Sequence, residues 1–424
     1  MIALVFFAPS VKLGGTSVSI YWAAPLVGAA AFVVSGFISP AEIAAGLTSS
    51  GEVNPIKILV LFLSMTFMSV YLDELGFFRL LASRILSKAG VHQAALFVLL
   101  YASVSVLTVF TSNDIIILTF TPFICHFAKA AHIDPVPYLV TEFIAANTWS
   151  MALMIGNPTN IYLISGTGVS FWGYTAVMIL PTLAAGVVSF IVLRRIFSHK
   201  LMDPLSPVPI EIGETDKPGI ILGLIHLGGC IVALSIAQFI GVQMWLITLI
   251  CFCSLVVCTL VMSAIRKKPP LMLPKALKRA PWELIPFVLS MFVLVLTLEK
   301  YGVTSAMLNV LAKPEQTGMK VVTFGVSSFL AANLLNNIPM SVLFSSVISG
   351  LSGTAGYTPA LFAAVIGSNL GAFFTPIGAL AGIMWMSQLK THGVSFSFGR
   401  FVKYGAAAAI PTVLAALAVT AVAF

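Results

Sequence analysis

Seven uninterrupted apolar stretches, at 19–38, 56–72, 171–193, 218–241, 243–265, 282–298 and 402–424, constrain this chain more than any other feature. A helix rises about 1.5 Å per residue, so about 20 apolar residues cross a hydrocarbon core. Only helices or closed barrels satisfy their backbone groups in lipid. The runs lack the alternation of a barrel strand, so helices are expected. Charged residues make up 8% of the chain, against about 25% in a soluble domain, too few to coat a globule. A net charge of +8 would suit nucleic acid, but the basic residues sit in short loops between apolar runs and read as topology determinants. No nucleic-acid partner is expected. Cys125, Cys230, Cys251, Cys253 and Cys258 lie in or beside apolar segments and read as small hydrophobes, and Cys251-Phe252-Cys253 has the wrong spacing for a zinc clip. No metal is expected. Residues 1–8 are apolar without a basic region before them, so they read as a truncated or partly inserted first helix rather than a signal peptide.

The chain repeats. Leu63-Ser64-Met65 recurs 226 residues later as Leu289-Ser290-Met291, and Leu72-Asp73-Glu74-Leu75-Gly76 recurs as Leu298-Glu299-Lys300-Tyr301-Gly302 at the same offset. Asn147 stands eight residues before Ile155-Gly156, as Asn369 does before Ile377-Gly378. The charges orient the halves. The 266–280 linker carries Arg266, Lys267, Lys268, Lys275, Lys278 and Arg279, which places it in the cytoplasm, whereas its counterpart 39–55 holds Glu42 and Glu52 and no basic residue. After the next helix the bias reverses: 77–92 holds Arg79, Arg84 and Lys88, and 303–320 holds Lys313, Lys320 and Glu315. Equivalent loops on opposite sides are the mark of inverted repeats, which secondary transporters use around a midplane site. The expected fold is an all-α polytopic membrane protein of two inverted-topology repeats, 1–197 and 218–424, joined by a polar cytoplasmic linker at 198–217.

Each half should contain a re-entrant hairpin and a broken transmembrane helix. Residues 93–131 form two apolar arms meeting at Thr111-Ser112-Asn113-Asp114, with basic residues outside both ends; 321–351 is its partner, with a tip at Asn336-Asn337-Ile338-Pro339. The next helices break at Gly156-Asn157-Pro158-Thr159-Asn160 and Thr375-Pro376-Ile377-Gly378. Proline removes a backbone donor and glycine weakens a helix, and non-helical backbone at membrane depth survives only inside protein or along a cavity. The four motifs should therefore line one polar chamber. Its candidate substrate ligands are Ser112, Asn113, Asn147, Asn157, Thr159, Asn160, Asn336, Asn337, Ser368, Asn369 and Thr375. Candidates for the coupling ion or proton are Asp114, Asn113, Gly156, Asn337 and Gly378. Membrane asparagines often only glue helices together, but four clusters in corresponding places beside Gly/Pro breaks argue for a site. Asp114 stands out because a carboxylate at such a tip is costly. Asp73, Glu74 and Glu299 read as interfacial helix ends, Glu142 as snorkelling or cytoplasm-facing with a proton relay as the alternative, and His126 and His132 as solvated.

Leu72-Asp73-Glu74-Leu75-Gly76-Phe77-Phe78, Arg279-Ala280-Pro281-Trp282, Asn336-Asn337-Ile338-Pro339, Gly367-Ser368-Asn369-Leu370-Gly371 and Thr375-Pro376-Ile377-Gly378-Ala379-Leu380-Ala381 resemble the arsenite efflux permeases, the membrane subunits of arsenical pumps, over nearly the whole chain. That family lies within the ion transporter superfamily. Ser112-Asn113 and Ile155-Gly156-Asn157-Pro158-Thr159-Asn160 are similar to the sodium and substrate motifs of its dicarboxylate branch. The resemblance implies a multi-pass protein of the inner (plasma) membrane that exports a small solute against a coupling ion, with room for a separate ATPase subunit and for a homodimer. The chain departs from the permeases where it has Asn147 and Asn369 in place of acids, and it lacks their basic residue near Phe373. Both Na+ and H+ coupling therefore stay open, with Asp114 the main proton carrier under the second.

The function expected is cation-coupled secondary transport of a small anion or a metalloid oxyacid of the arsenite or antimonite kind, by alternating access. Sodium/proton antiport and sodium-coupled dicarboxylate-type transport are the alternatives. An enzyme or channel is not expected, since neither a phosphate-binding P-loop nor an HExxH helix occurs and a pore needs no inverted broken helices. No cofactor beyond the coupling ion is called for. Single cysteines placed in 39–55 and in 266–280 should react with an impermeant thiol reagent from opposite sides of the membrane; labelling from one side would end the inverted reading.

Overall fold

The computed structural model describes residues 10–13, 16–48, 54–90, 92–204, 216–237 and 239–424. The expectations for residues 1–8, for 49–53 of the acidic loop and for 205–215 of the polar linker fall outside them. The described chain opens with a small antiparallel hairpin, β1 (Ser10–Leu13) and β2 (Thr16–Ser19), the one exception to the all-α expectation among these residues. Helices follow: α1 (Ile20–Val34), α2 (Pro40–Thr48), α3 (Pro55–Glu74), α4 (Phe77–Ala89), α5 (Gln93–Phe110), α6 (Asn113–Ala130), α7 (Val136–Trp149), a 3-10 turn (Met154–Gly156), α8 (Pro158–Ile164) and α9 (Phe171–Phe197). Then come α10 (Lys217–Ile236), α11 (Met244–Arg266), α12 (Met272–Arg279), α13 (Leu284–Lys300), α14 (Val303–Leu311), α15 (Thr317–Leu335), α16 (Asn337–Ser349), α17 (Tyr357–Gly371), α18 (Leu380–Thr391) and α19 (Phe398–Ala423).

Eight of the described helices are long and apolar enough to cross a membrane. Leu180 and Val187 of α9, Ile225 and Val232 of α10, and Ile250 and Val257 of α11 stay exposed. Apolar side chains on an outer face are stable where lipid surrounds them. The centre has a different character. Every residue of α7 from Val136 to Thr148 is buried, and so is every residue of α17 from Pro359 to Gly371. The two helices that carry the expected breaks are thus the core of the molecule.

The order of elements after α10 repeats the order before it. The packing repeats as well, with partners exchanged: α1 lies against α13, and α11 against α3; α6 lies against α18, and α16 against α8. Within each half the first hairpin arm packs on the broken helix, α5 on α7 and α15 on α17, and α9 and α19 pack on each other behind them.

Local sequence sets the ends of these elements. Asn54 caps α3 by accepting from the Ile56 and Lys57 amides at 3.0 and 3.1 Å, with Pro55 in the first turn where its missing N–H costs nothing. At the far end of α3 the side chains of Asp73 and Glu74 both meet Arg279 of α12, at 2.8 and 2.5 Å. Asp73 is buried, so this is a tether between the halves rather than the interfacial pair expected of helix ends. Glu42 of α2 pairs with Lys300 at the end of α13, at 2.8 Å, with the charges interchanged.

Arg279→Gln leaves the Asp73 carboxylate without its cation and should cost about 1–3 kcal/mol, the range for an orphaned buried group. The melting temperature of the detergent-purified protein should fall. Adding Asp73→Asn should recover most of the loss, because the two changes are coupled. Simple addition of the two effects would show that the tether carries no energy.

Candidate functional site

The first hairpin turns at Thr111 and Ser112, both in non-helical conformation, between α5 and α6. Asn113, the first residue of α6, donates from Nδ2 to Asn147 Oδ1 at 3.1 Å. Asn147 Nδ2 donates to its own helix, at Phe143 O, 2.8 Å. One turn on, Ser150 donates to Asn147 O and to Asn369 Oδ1, both at 2.9 Å. Asn369 belongs to α17, so the contact crosses from one half to the other. Its Oδ1 also accepts from Asn157 Nδ2 at 2.9 Å, and its Nδ2 donates to Asn160 Oδ1 at 2.6 Å and to Val365 O at 2.8 Å. Asn160 Nδ2 in turn satisfies the Ser150 and Leu153 carbonyls left open by the break, at 2.9 and 3.1 Å. Asn157 caps α8 by accepting from the Thr159 amide and hydroxyl at 3.1 and 3.0 Å. Seven side chains thus form one buried network: Asn113, Asn147, Ser150, Asn157, Thr159, Asn160 and Asn369.

A second cluster pins the other hairpin. Asn333, on the last turn of α15, accepts at Oδ1 from the Thr375 amide and hydroxyl at 3.1 and 2.7 Å and donates to the Gly371 carbonyl at 3.0 Å. Asn336 donates to Ile377 O at 3.0 Å, and the Asn337 amide donates to Gly378 O at 2.9 Å. Asn336 holds φ 80° and ψ 150°, a region natural to glycine that costs another residue about 1–3 kcal/mol. Ser368 lies 3.4 Å from Ser341 of α16. Consecutive residues of α17 therefore face two partners, Ser368 the second hairpin and Asn369 the first break. Both breaks need glycine for the same steric reason: a Cβ on Gly156 would sit 2.4 Å from Ser150 O, and one on Gly378 2.5 Å from Gly371 O.

Nearly all the residues expected to line a site are thus found, in two clusters rather than one chamber. Two members were missed. Ser150 lies one turn after Asn147 and Asn333 one turn before Asn336, so helical spacing from the polar motifs would have found both. Glu142 is a correction. Instead of snorkelling it is completely buried, with Thr121 Oγ1 of α6 at 3.2 Å from both carboxyl oxygens. Its place in the early turns of α7 suggested an aqueous end, but α6 and α18 cover that end. Asp114 is half-buried at the start of α6 and has no ion pair or hydrogen-bond partner among the described residues. His126 and His132 are exposed, as expected.

Chemically the clusters offer amides, hydroxyls and main-chain groups, with no Lys or Arg in either. The first tip also holds buried oxygens without partners, Ser112 Oγ and Asn113 Oδ1, and Thr148 Oγ1 of α7 lacks one too. Buried polar groups are nearly always paired, so the spare oxygens of Ser112 and Asn113, which directly precede Asp114 in the chain, are free to bind a cation or to accept from a donor of a ligand.

Two broken helices meeting in a buried polar network within a multi-pass apolar bundle define a membrane transporter. The family model described as citrate transporter (CitMHS) matches residues 16–367, and the chain belongs to that family. It is 27% identical over 373 residues to an arsenical pump membrane protein of Escherichia coli, covering 85% of each chain. To that of Escherichia coli strain K12 it is 27% identical over 441 residues, covering 99% of this chain and 96% of the other. Among solved structures, the YdaH transporter of Alcanivorax borkumensis shares the fold at a TM-score of 0.53 and 15% identity, covering 99% of this chain and 94% of that one. The resemblance to arsenite permeases is upheld across the chain.

Asn369→Ala removes the acceptor of Ser150 and Asn157 and the donor to Asn160 in one step. Each orphaned buried group costs about 1–3 kcal/mol, so the purified variant should melt well below the native protein. Asn309→Ala, on the exposed face of α14, should melt with it. Equal melting of the two variants would mean that the network holds nothing together.

Proposed function

We propose that the protein is a cation-coupled secondary transporter of the inner membrane that moves a small neutral metalloid oxyacid, arsenous acid or its antimony analogue, by alternating access between two inverted halves. The observation that carries the reading is the first hairpin tip, where Ser112 Oγ and Asn113 Oδ1 lack partners and the half-buried Asp114 follows directly in the chain. An oxygen-only set of this kind suits a hard monovalent cation. The amide clusters suit a solute that both donates and accepts hydrogen bonds, as a trihydroxy acid does. A polycarboxylate such as citrate fits less well, since no basic residue stands in either cluster and Asp114 would repel it. The names of the relatives agree with this preference: the two described above are arsenical pump membrane proteins, although the family description names citrate. The exchange of partners between α6 and α18 and between α16 and α8 supports inverted repeats spanning 1–197 and 218–424, which rock about the Asn369 contact.

Reconstituted in liposomes, the protein should move labelled arsenite when a sodium or a proton gradient is imposed, and citrate should neither move nor compete. Asp114→Asn should insert normally and lose concentrative transport while its melting temperature stays within a few degrees of native. Citrate flux without arsenite flux would overturn the substrate; full gradient-driven flux in the variant would make Asp114 structural.

A further inference from the structure

The reading above leaves one acid without a role. Glu142 is fully buried on α7, five residues from Asn147, or about 7.5 Å along the helix axis. Thr121 of α6 approaches both of its carboxyl oxygens at 3.2 Å. From α18 the indole Nε1 of Trp385, itself 1% exposed, neighbours the same carboxyl without meeting the geometry of a full hydrogen bond. Cys125 of α6 is the titratable side chain facing it. Among the described residues no Lys, Arg or His pairs with it. The imidazoles of His126 and His392 stack edge to face, 4.9 Å apart, toward the outer ends of the same two helices. Phe143, the next residue of α7, packs against both Trp385 and Phe401, with ring centres 5.1 and 5.4 Å away.

Three features of this arrangement matter. An unpaired charge cut off from water costs several kcal/mol, and the Glu142 side chain is fully buried with no basic residue paired to it among the described residues. The α6–α7 interface carries two polar contacts, Asn113 to Asn147 and Thr121 to Glu142, so a shift of α6 that opens the first disturbs the second. The cover over the carboxyl comes from α18 of the other half, so separation of the halves is what would wet it. Intramembrane acids so placed are carriers by default.

We propose that Glu142 is a proton-binding site of the transport cycle, holding a proton in the closed packing of α6, α7 and α18 and exchanging it with water when Trp385 withdraws. The proton comes from water on one side of the membrane and returns to water on the other; no bond other than O–H is made or broken. The proposal rests on the transport reading above and makes the proton one of its coupling ions.

The test uses the full-length protein in proteoliposomes, with labelled arsenite as probe. Arsenite exchange at equal pH on both sides reports the transport reading alone. Net flux under an imposed pH gradient reports the coupling. Glu142→Gln should keep exchange within about twofold of native, lose proton-driven net flux by at least tenfold and flatten the pH profile, and Glu142→Asp should restore a pH-dependent profile with a displaced midpoint. Unchanged proton-driven flux and an unchanged profile in Glu142→Gln would overturn the proposal. Absence of exchange by the native protein would instead sink the transport reading, and the carboxyl is then judged without substrate. In pH-difference infrared spectra of the lipid-reconstituted native protein, a protonated glutamic acid C=O band should be present, be missing in Glu142→Gln and move in Thr121→Val. If Glu142→Gln does not survive purification, the Thr121→Val spectrum decides. A native spectrum without the band, or a band that Thr121→Val leaves in place, overturns the assignment.

Discussion

The rest of the structure depends on how the open backbone groups at two helix breaks are paired. A helix interrupted in an apolar core leaves carbonyls and amides that water cannot reach, each costing about 1–3 kcal/mol if orphaned. Asn160 closes the carbonyls of Ser150 and Leu153 at the first break, and Asn333 closes the carbonyl of Gly371 and the amide of Thr375 at the second. An amide side chain is suited to this because it donates and accepts without bringing a charge. The breaks therefore exist only because asparagines, Asn160 from the resumed helix and Asn333 from the adjacent hairpin arm, complete them.

The same choice limits what the molecule can hold. Neutral amides joined to one another create little field, so a bound solute is recognised through hydrogen bonds rather than by net charge. Asn147 and Asn369 are both occupied by other side chains in this packing. At the first tip Ser112 Oγ and Asn113 Oδ1 keep no partner. At the second tip Asn336 is fixed to Ile377 O in a strained conformation.

Much of this was legible in the sequence because glycine, proline and asparagine mark backbone exceptions wherever they fall in an apolar run. Gly156-Asn157-Pro158 and Thr375-Pro376-Ile377-Gly378 announced the breaks, and both lie between helices of the structure. Length and hydropathy gave six of the eight long apolar helices; Gln93–Phe110 and Thr317–Leu335, read as hairpin arms, are as long and apolar, and the stretch 19–38 forms a helix of only 15 residues. What stayed hidden depended on distance through space. No spacing within one half reveals that Asn369 meets Asn157 and Asn160, more than 200 residues earlier. Glu142 was read as aqueous because a residue two turns into a helix usually is, and only the folded chain shows α6 and α18 closing over it. Arg279 looked like one more topology charge, yet it reaches across to Asp73.

The two halves match in order but differ in how firmly their tips are held. At the first break the helix resumes for only seven residues, as α8, whereas at the second it resumes for twelve, as α18. The first tip keeps unpaired oxygens, and its Asn113 rests on a single amide contact; the second is tied by Asn333, Asn336 and Asn337 to the break beside it. A cation arriving at the first tip has groups to gain, and one arriving at the second has bonds to break. Differential affinity for two arrangements is the sole means by which a ligand shifts an equilibrium. On the transport reading proposed above, the asymmetry would make the first hairpin the sensing element and the second the anchor, with the Asn369 contacts linking one half to the other.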